Sequence, residues 1–196
     1  MGYPKAILPL GKETFVTRIL KTLRNAELPK PIVVLGRAAE TIRPQIANGS
    51  AGIIVNPDPD RGQLSSIQLA LSVIKPEFTA GMIWPVDQPS ISEDLVRRLV
   101  RLFASSEAKI AFPIHDGKNG HPAIFHRELF RDFMDISPEE GPRSILARYR
   151  HAWAVLPTDE SACVRDIDTP MDYRDLTGEK LDSVLARVNA SKATQP

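Results

Sequence analysis

The sequence predicts an α/β domain with a mostly parallel sheet. Short, continuously apolar runs recur along the chain, segments of helical periodicity separate them, and polar residues follow the runs rather than interrupt them. The first helix is expected over residues 13–26, where Phe15, Ile19, Leu20 and Leu23 recur at helical spacing with Arg18, Lys21 and Arg24 between them. Leu28-Pro29-Lys30-Pro31 stops it, and residues 32–36 read as a strand covered on both faces. A weak helix with Pro44 inside it covers 38–47, a short strand 52–55, and a helix 63–74, where Leu64, Ile67, Leu71 and Ile74 share a face. A buried strand over 80–86 runs directly into Asp87. The helix over 92–105 has Ser92 as N-cap, with Glu93 and Asp94 in its first turn. Residues 109–114 form a strand, 116–120 carry turn chemistry, and 122–125 return as a partner strand. Helices near 128–133 and 142–149, strands over 152–156 and 163–167, and a helix from Pro170 to Leu176 complete the domain, residues 1–176. Residues 177–196 are expected to hold a last helix and a disordered tail from Ser191.

Composition excludes several function classes. The 196 residues, 42% of them hydrophobic, suffice for one domain with a sizeable core. Lys and Arg (25) nearly balance Asp and Glu (24), which leaves no basic excess to hold a nucleic-acid backbone. No run of roughly 18 apolar residues spans a membrane. The start, Met-Gly-Tyr-Pro-Lys, has no apolar signal region, and the lone Cys163 cannot close an internal disulfide, so a cytoplasmic protein is expected. Cys163 reads as a small core residue. The histidines lack metal-ligand spacing, which argues against zinc.

Ligands of open α/β sheets bind beyond the carboxyl ends of the strands, and three segments fall at or beside such places, with a surface turn as a fourth element. In Trp84-Pro85-Val86-Asp87-Gln88-Pro89, Asp87 is either a Mg²⁺ ligand or a turn cap. In Asp166-Ile167-Asp168-Thr169-Pro170, an extended backbone points Asp166 and Asp168 to one side, while Asp168 or Thr169 is also placed to cap the next helix. The stretch from Asn56 to Ser66 leaves a strand, passes a Pro- and Asp-rich loop and opens a helix whose N–H groups suit an anion or a polar base edge. Gly117 to Pro122 reads as a turn with one histidine.

Taken in order, these segments, together with Gly2-x-Pro4-Lys5-Ala6-x-Leu8-Pro9-Leu10, Gly62-Gln63-Leu64-Ser65-Ser66 and Asp172-Tyr173, resemble the molybdenum-cofactor cytidylyltransferases. The related guanylyltransferases fit less well, since they read Gly-Pro-Leu after the loop glycine. The resemblance implies a Rossmann-like, three-layer fold of the glycosyltransferase-A type. It implies attack of a substrate phosphate on the α-phosphate of CTP, with pyrophosphate leaving and a molybdopterin-type pterin as acceptor. Asp87 and Asp168 would hold Mg²⁺, with Asp166 as rival for the second place. Lys5 would neutralise phosphate charge as a catalytic residue. Gly2, Lys5, Gln63, Ser65 and Ser66 would contact the nucleotide, and Gly120, His121 and Pro122 the acceptor. A recipient molybdoenzyme is an expected partner.

The pattern departs from this family at the start. The family opens with a buried strand and the loop Leu-Ala-Ala-Gly-x-Ser-x-Arg-x-Gly, of which Gly2 alone remains. The first strand is therefore expected to be missing between the strands near Ile32 and Ile83. Either the natural protein extends upstream of Met1, or the chain is truncated and serves as a non-catalytic pterin- or nucleotide-binding module. Another small phosphorylated acceptor is a further alternative.

Overall fold

The computed structural model describes residues 2–137 and 140–193. The chain enters through a buried 3₁₀ turn, Lys5–Ile7, and a two-strand hairpin, β1 (Pro9–Leu10) and β2 (Glu13–Thr14). Thr14 then caps α1 (Phe15–Asn25) by a reciprocal pair of hydrogen bonds with Thr17, so the helix starts two residues later than its periodicity suggests. β3 (Ile32–Leu35) leads to α2 (Ala39–Ile42), which stops before Pro44 and gives way to a 3₁₀ turn; the weak helix predicted to Ala47 is cut short there because proline has no N–H to continue it. β4 (Gly52–Val55) pairs in parallel with β3.

The chain continues through α3 (Gln63–Ser72), β5 (Ala80–Ile83), α4 (Glu93–Ala104), β6 (Ile110–His115), β7 (Lys118–Asn119) and β8 (Ala123–His126). There follow α5 (Phe130–Asp135), α6 (Arg143–Arg148), β9 (Trp153–Pro157), α7 (Pro170–Thr177) and α8 (Leu181–Ala193). The strand expected over 163–167 is not formed. Ser161–Val164 is a 3₁₀ turn instead, because the Cys163 carbonyl turns to accept the His121 N–H at 2.7 Å. Residues 191–193, expected to be disordered, continue α8, while 194–196 lie outside the described residues.

The α/β class holds, but the sheet is mixed and divided. β8 runs antiparallel to both β5 and β6, so β5, β6 and β9 share one direction and β8 opposes them. β3 and β4 form a separate parallel pair. Among the described residues, no ladder joins β3 to β5. A cavity of about 840 Å³ lies between them, lined by residues of both strands and of α1 and α3.

The core follows this division. Phe112, Phe125, Phe133 and Ile145 fill the space between the larger sheet and α3, α5 and α6, with Phe125 and Phe133 edge to face at 4.9 Å. Leu35, Ile42, Ile46 and Val16 pack around the β3–β4 pair. Leu8, Phe15, Tyr173, Leu181 and Val184 form a third cluster that fastens α7 and α8 to the N-terminal hairpin.

Candidate active site

The antiparallel register of β5 and β8 pairs Ile83 with Ala123, so the residues that leave β5 and those that enter β8 meet at one end of the sheet. Asp87 lies four residues beyond the last residue of β5, in a turn closed by the Trp84 indole N–H, which donates to the Gln88 carbonyl at 2.9 Å. The strand was expected to run to Val86. Pro85 ends it earlier, since proline cannot donate to a ladder. Gly120, His121 and the cis-linked Pro122 approach the same end from β8.

The third arm is the segment from Asp166 to Thr169. The Ile167 N–H donates to the Asp87 carbonyl at 2.9 Å, and the Ile167 side chain is buried. That single bond and anchor set the two flanking acids on the rim. Asp166 accepts from Gln88 Nε2 at 2.7 Å. Thr169, not Asp168, caps α7: its Oγ1 accepts from the Asp172 N–H, and the Asp172 carboxylate accepts from the Thr169 N–H. Asp168 is therefore free of capping duty. α7 is in turn held by Tyr173, whose hydroxyl donates to the Pro9 carbonyl at 2.7 Å.

Lys5 completes the cluster. Its 3₁₀ turn is pinned by buried Ala6, Ile7 and Leu8, and its Nζ donates to Asp87 Oδ2 at 3.2 Å and to Asp168 Oδ1. Two acids 81 positions apart in the chain thus meet on one cation. Burial works against the Lys5 ammonium, but the hydrogen bonds to Asp168 and Asp87 and their charges outweigh it and raise its pKa above the ordinary lysine value. The Asp168 side chain is 60% exposed and that of Asp87 only 25%, so the Asp168 arm is the solvent-facing one.

Three buried polar atoms in this region have no hydrogen-bond partner: Asp87 Oδ1, Gln88 Oε1 and His121 Nδ1. Such atoms are costly unless something meets them. His121 has its pKa lowered by burial, against the opposing charges of Asp166 and Asp87, which holds the ring neutral near neutral pH. Gly120 is fixed by packing, because a Cβ there would lie 2.5 Å from the Cys163 carbonyl oxygen. Cys163 itself is a buried core residue whose thiol pKa burial raises.

The Asn56–Ser66 segment forms a second group. Asn56, 4% exposed, donates through Nδ2 to Ser65 Oγ at 2.8 Å and to Ser66 Oγ at 3.0 Å. Ser65 Oγ donates on to the Gly62 carbonyl at 2.8 Å. The Ser65 hydroxyl is thus spent inside the loop, whereas Gln63 is exposed and Ser66 part-buried. Gly62, with φ +81°, opens α3 without any side-chain cap, which leaves the helix N–H groups available to an anion. No hydrogen bond or ion pair among the described residues joins this group to Lys5, Asp87 and Asp168. Gln63 and Ser66 do share the lining of the cavity with Pro85 and Val86. Gly2 is exposed, with φ +63°. The sequence gives no sign of the structural roles of Asn56 and Gln88 beyond a carboxamide that follows each of two apolar runs.

Two acids and a lysine thus gather at the carboxyl rim of an α/β sheet, and the chain matches a nucleotidyltransferase family. The MobA-like NTP transferase domain matches residues 1–153, and the chain belongs to that family. It is 26% identical over 174 residues to a molybdenum cofactor cytidylyltransferase of Escherichia coli K12, covering 88% of this chain and 86% of that protein. It is 29% identical over 182 residues to the purine catabolism protein PucB of Bacillus subtilis 168, covering 88% and 87%. Among solved structures, Rv0371c of Mycobacterium tuberculosis H37Rv superposes with a TM-score of 0.81 at 27% identity over 91% of each chain. A manganese complex of Rv0371c matches with a TM-score of 0.78 at 27% identity, covering 91% of this chain and 94% of that one.

Proposed function

We propose that the protein transfers CMP from CTP to the phosphate of a pterin acceptor of the molybdenum cofactor type, releasing pyrophosphate, with Mg²⁺ bound by Asp87 and Asp168. The observation that carries this reading is the meeting of both carboxylates on Lys5 Nζ at the sheet rim. The cytidylyltransferase relative supports the choice of CTP and pterin, and the manganese-bound mycobacterial neighbour supports a divalent cation.

The residues fit such an ion. Asp87 Oδ1 is buried and unmet, and Lys5 already shows that the pair demands positive charge. Two carboxylates, with phosphate oxygens and water, are a set that Mg²⁺ accepts. Bound there, the ion supplies neutralisation of the triphosphate charge. Asp166, bonded to Gln88, is the weaker candidate for the second place. Lys5 holds Asp168 in the absence of nucleotide and turns to the phosphates when they arrive, where its charge offsets what spreads over the transferring group. The uncapped start of α3, with Gln63 and Ser66, takes the nucleotide. Ser65 acts at one remove, by fixing the loop through Asn56. Gly120, His121 and Pro122 line the acceptor side. A phosphate monoester is already anionic near neutral pH, so the reaction needs positioning and charge neutralisation rather than a strong base.

The test is pyrophosphate release from CTP, Mg²⁺ and a phosphorylated pterin, with GTP in parallel. Release is expected with CTP, is expected to vanish with EDTA, and to return on adding Mg²⁺ or Mn²⁺. Asp87→Asn and Asp168→Asn should each lower the rate by about 10²-fold or more while leaving the melting curve in place. Full activity in Asp87→Asn would remove the metal site, and calorimetry showing no CTP binding would remove the reaction.

A further inference from the structure

Asp166 and Asp168 flank the buried Ile167, yet they are held in opposite ways. Asp168 is met by Lys5, a cation on a long, flexible stem. Asp166 is met by Gln88, a neutral amide on a residue only 4% exposed. No ion pair among the described residues includes Asp166, and the neighbouring Arg165 turns instead to Asp175 at 3.6 Å. The base of the Gln88 arm is fixed: its N–H donates to the Pro85 carbonyl at 3.3 Å, and its own carbonyl accepts from the Trp84 indole at 2.9 Å. Only the Nε2 end of the amide can donate to a carboxylate, which sets its orientation and leaves Oε1 buried with no partner. A buried, unmet oxygen is costly, and methionine would fill the same place without one. What Gln88 alone supplies is the donor aimed at Asp166.

The two bonds differ in what it takes to break them. Releasing Asp168 opens an exposed ion pair, which is worth little, and Lys5 finds phosphate or water in exchange. Releasing Asp166 breaks a charge-assisted bond and strands a donor on a buried residue. We propose that Gln88 is a positioning residue that decides which acid serves the divalent cation: by holding Asp166 it leaves Asp168 as the partner of Asp87. This rests on the metal site put forward above and goes a step beyond it, since it makes Asp166 a ligand withheld by a neighbour, not an acid unsuited to the ion.

The test reads metal binding, not turnover. Mn²⁺ affinity of the full chain is measured by electron paramagnetic resonance, with and without CTP. In the parent, Asp168→Asn should weaken Mn²⁺ binding roughly tenfold or more, and Asp166→Asn by no more than about threefold. In the Gln88→Met background Asp166 is free to replace the lost ligand, so Asp168→Asn should there cost no more than about threefold. Gln88→Asn keeps the amide but shortens the arm; it should act in the same way, and it stands in should the methionine variant not fold. A side chain that only filled space would shift the melting temperature without changing which acid matters. An equal loss from Asp168→Asn with and without Gln88 would overturn the inference and leave the metal site standing. So would a loss from Asp166→Asn in the parent as large as that from Asp168→Asn. No Mn²⁺ binding by the parent, with CTP or without it, would remove the metal site itself and the inference with it.

Discussion

A Cβ at Gly120 would lie 2.5 Å from the Cys163 carbonyl oxygen and 2.9 Å from its sulfur, so backbone, not a pliable side chain, stands in the way. Gly120→Ala must therefore move the Cys163 turn or the His121 backbone that donates to it. The expected cost is about 1–3 kcal/mol in urea melts, as for other overpacked sites. A variant as stable as the parent would show that the contact yields easily. Asp172 offers a second test at this scale. Hydrogen bonds from the Thr169 hydroxyl and N–H, and a further one from the Asp168 N–H, lower its pKa below the ordinary aspartate value. The folded-state pKa is depressed, so the stability this carboxylate contributes is fully present above the unfolded value of about 3.9. It is lost as pH falls below that value and through the lower folded one. Asp172→Asn should flatten the acid limb of the stability curve in that window. An unchanged limb would mean that the capping carboxylate contributes nothing to acid stability.

At the scale of elements, the two segments that carry the site are built by different means. The Asp166–Asp168 arm is held by its ends: a capping box on α7, the Tyr173 hydroxyl on Pro9 and one bond from Ile167 to Asp87. The loop before α3 is held from inside, by Asn56. Asn56→Ala removes a buried donor to two hydroxyls and the acceptor of the Asp58 N–H, and should destabilise the chain by about 1–3 kcal/mol. It should weaken CTP binding more than pterin binding, since it loosens Ser66 and the start of α3. Equal loss for both ligands would argue against placing the nucleotide there. The helices of these segments were legible in the sequence, because amphipathic spacing and caps such as Ser92 are local signals. The strand ends were not. β5 stops at Ile83, and Ser161–Val164 curls into a turn where a strand is expected from Cys163, because of partners far along the chain, the Cys163–His121 bond above all. The acids and Lys5 were legible as residues through their motif order. Their convergence depends on the β5–β8 register and the Ile167–Asp87 bond, which no local pattern encodes.

For the whole molecule the consequential feature is the division of the sheet, and it makes a claim about cooperativity. Backbone hydrogen bonds couple β5, β8, β6 and β9 into one ladder and β3 to β4 in another, with no ladder between the two among the described residues. The side-chain clusters divide in the same way: Leu35, Ile42 and Ile46 surround the smaller pair, and the phenylalanines lie under the larger sheet. What links them is packing: α3 lies on β3 while its Leu64 and Ile67 enter the larger core, Val86 packs against the smaller cluster, and α1 packs against α4. Packing of a few side chains across an 840 Å³ gap is weak coupling compared with a shared ladder. Leu35, 3% exposed, is therefore a probe of one half only. Leu35→Ala should cost about 2–5 kcal/mol in the smaller unit. Native-state hydrogen exchange should show the amides of β3, β4 and α2 opening faster, with those of Ile110 to Phe112 in β6 nearly unchanged. Parallel loss of protection in β6 would show that the halves open together, and that the gap in the ladder does not divide the molecule energetically.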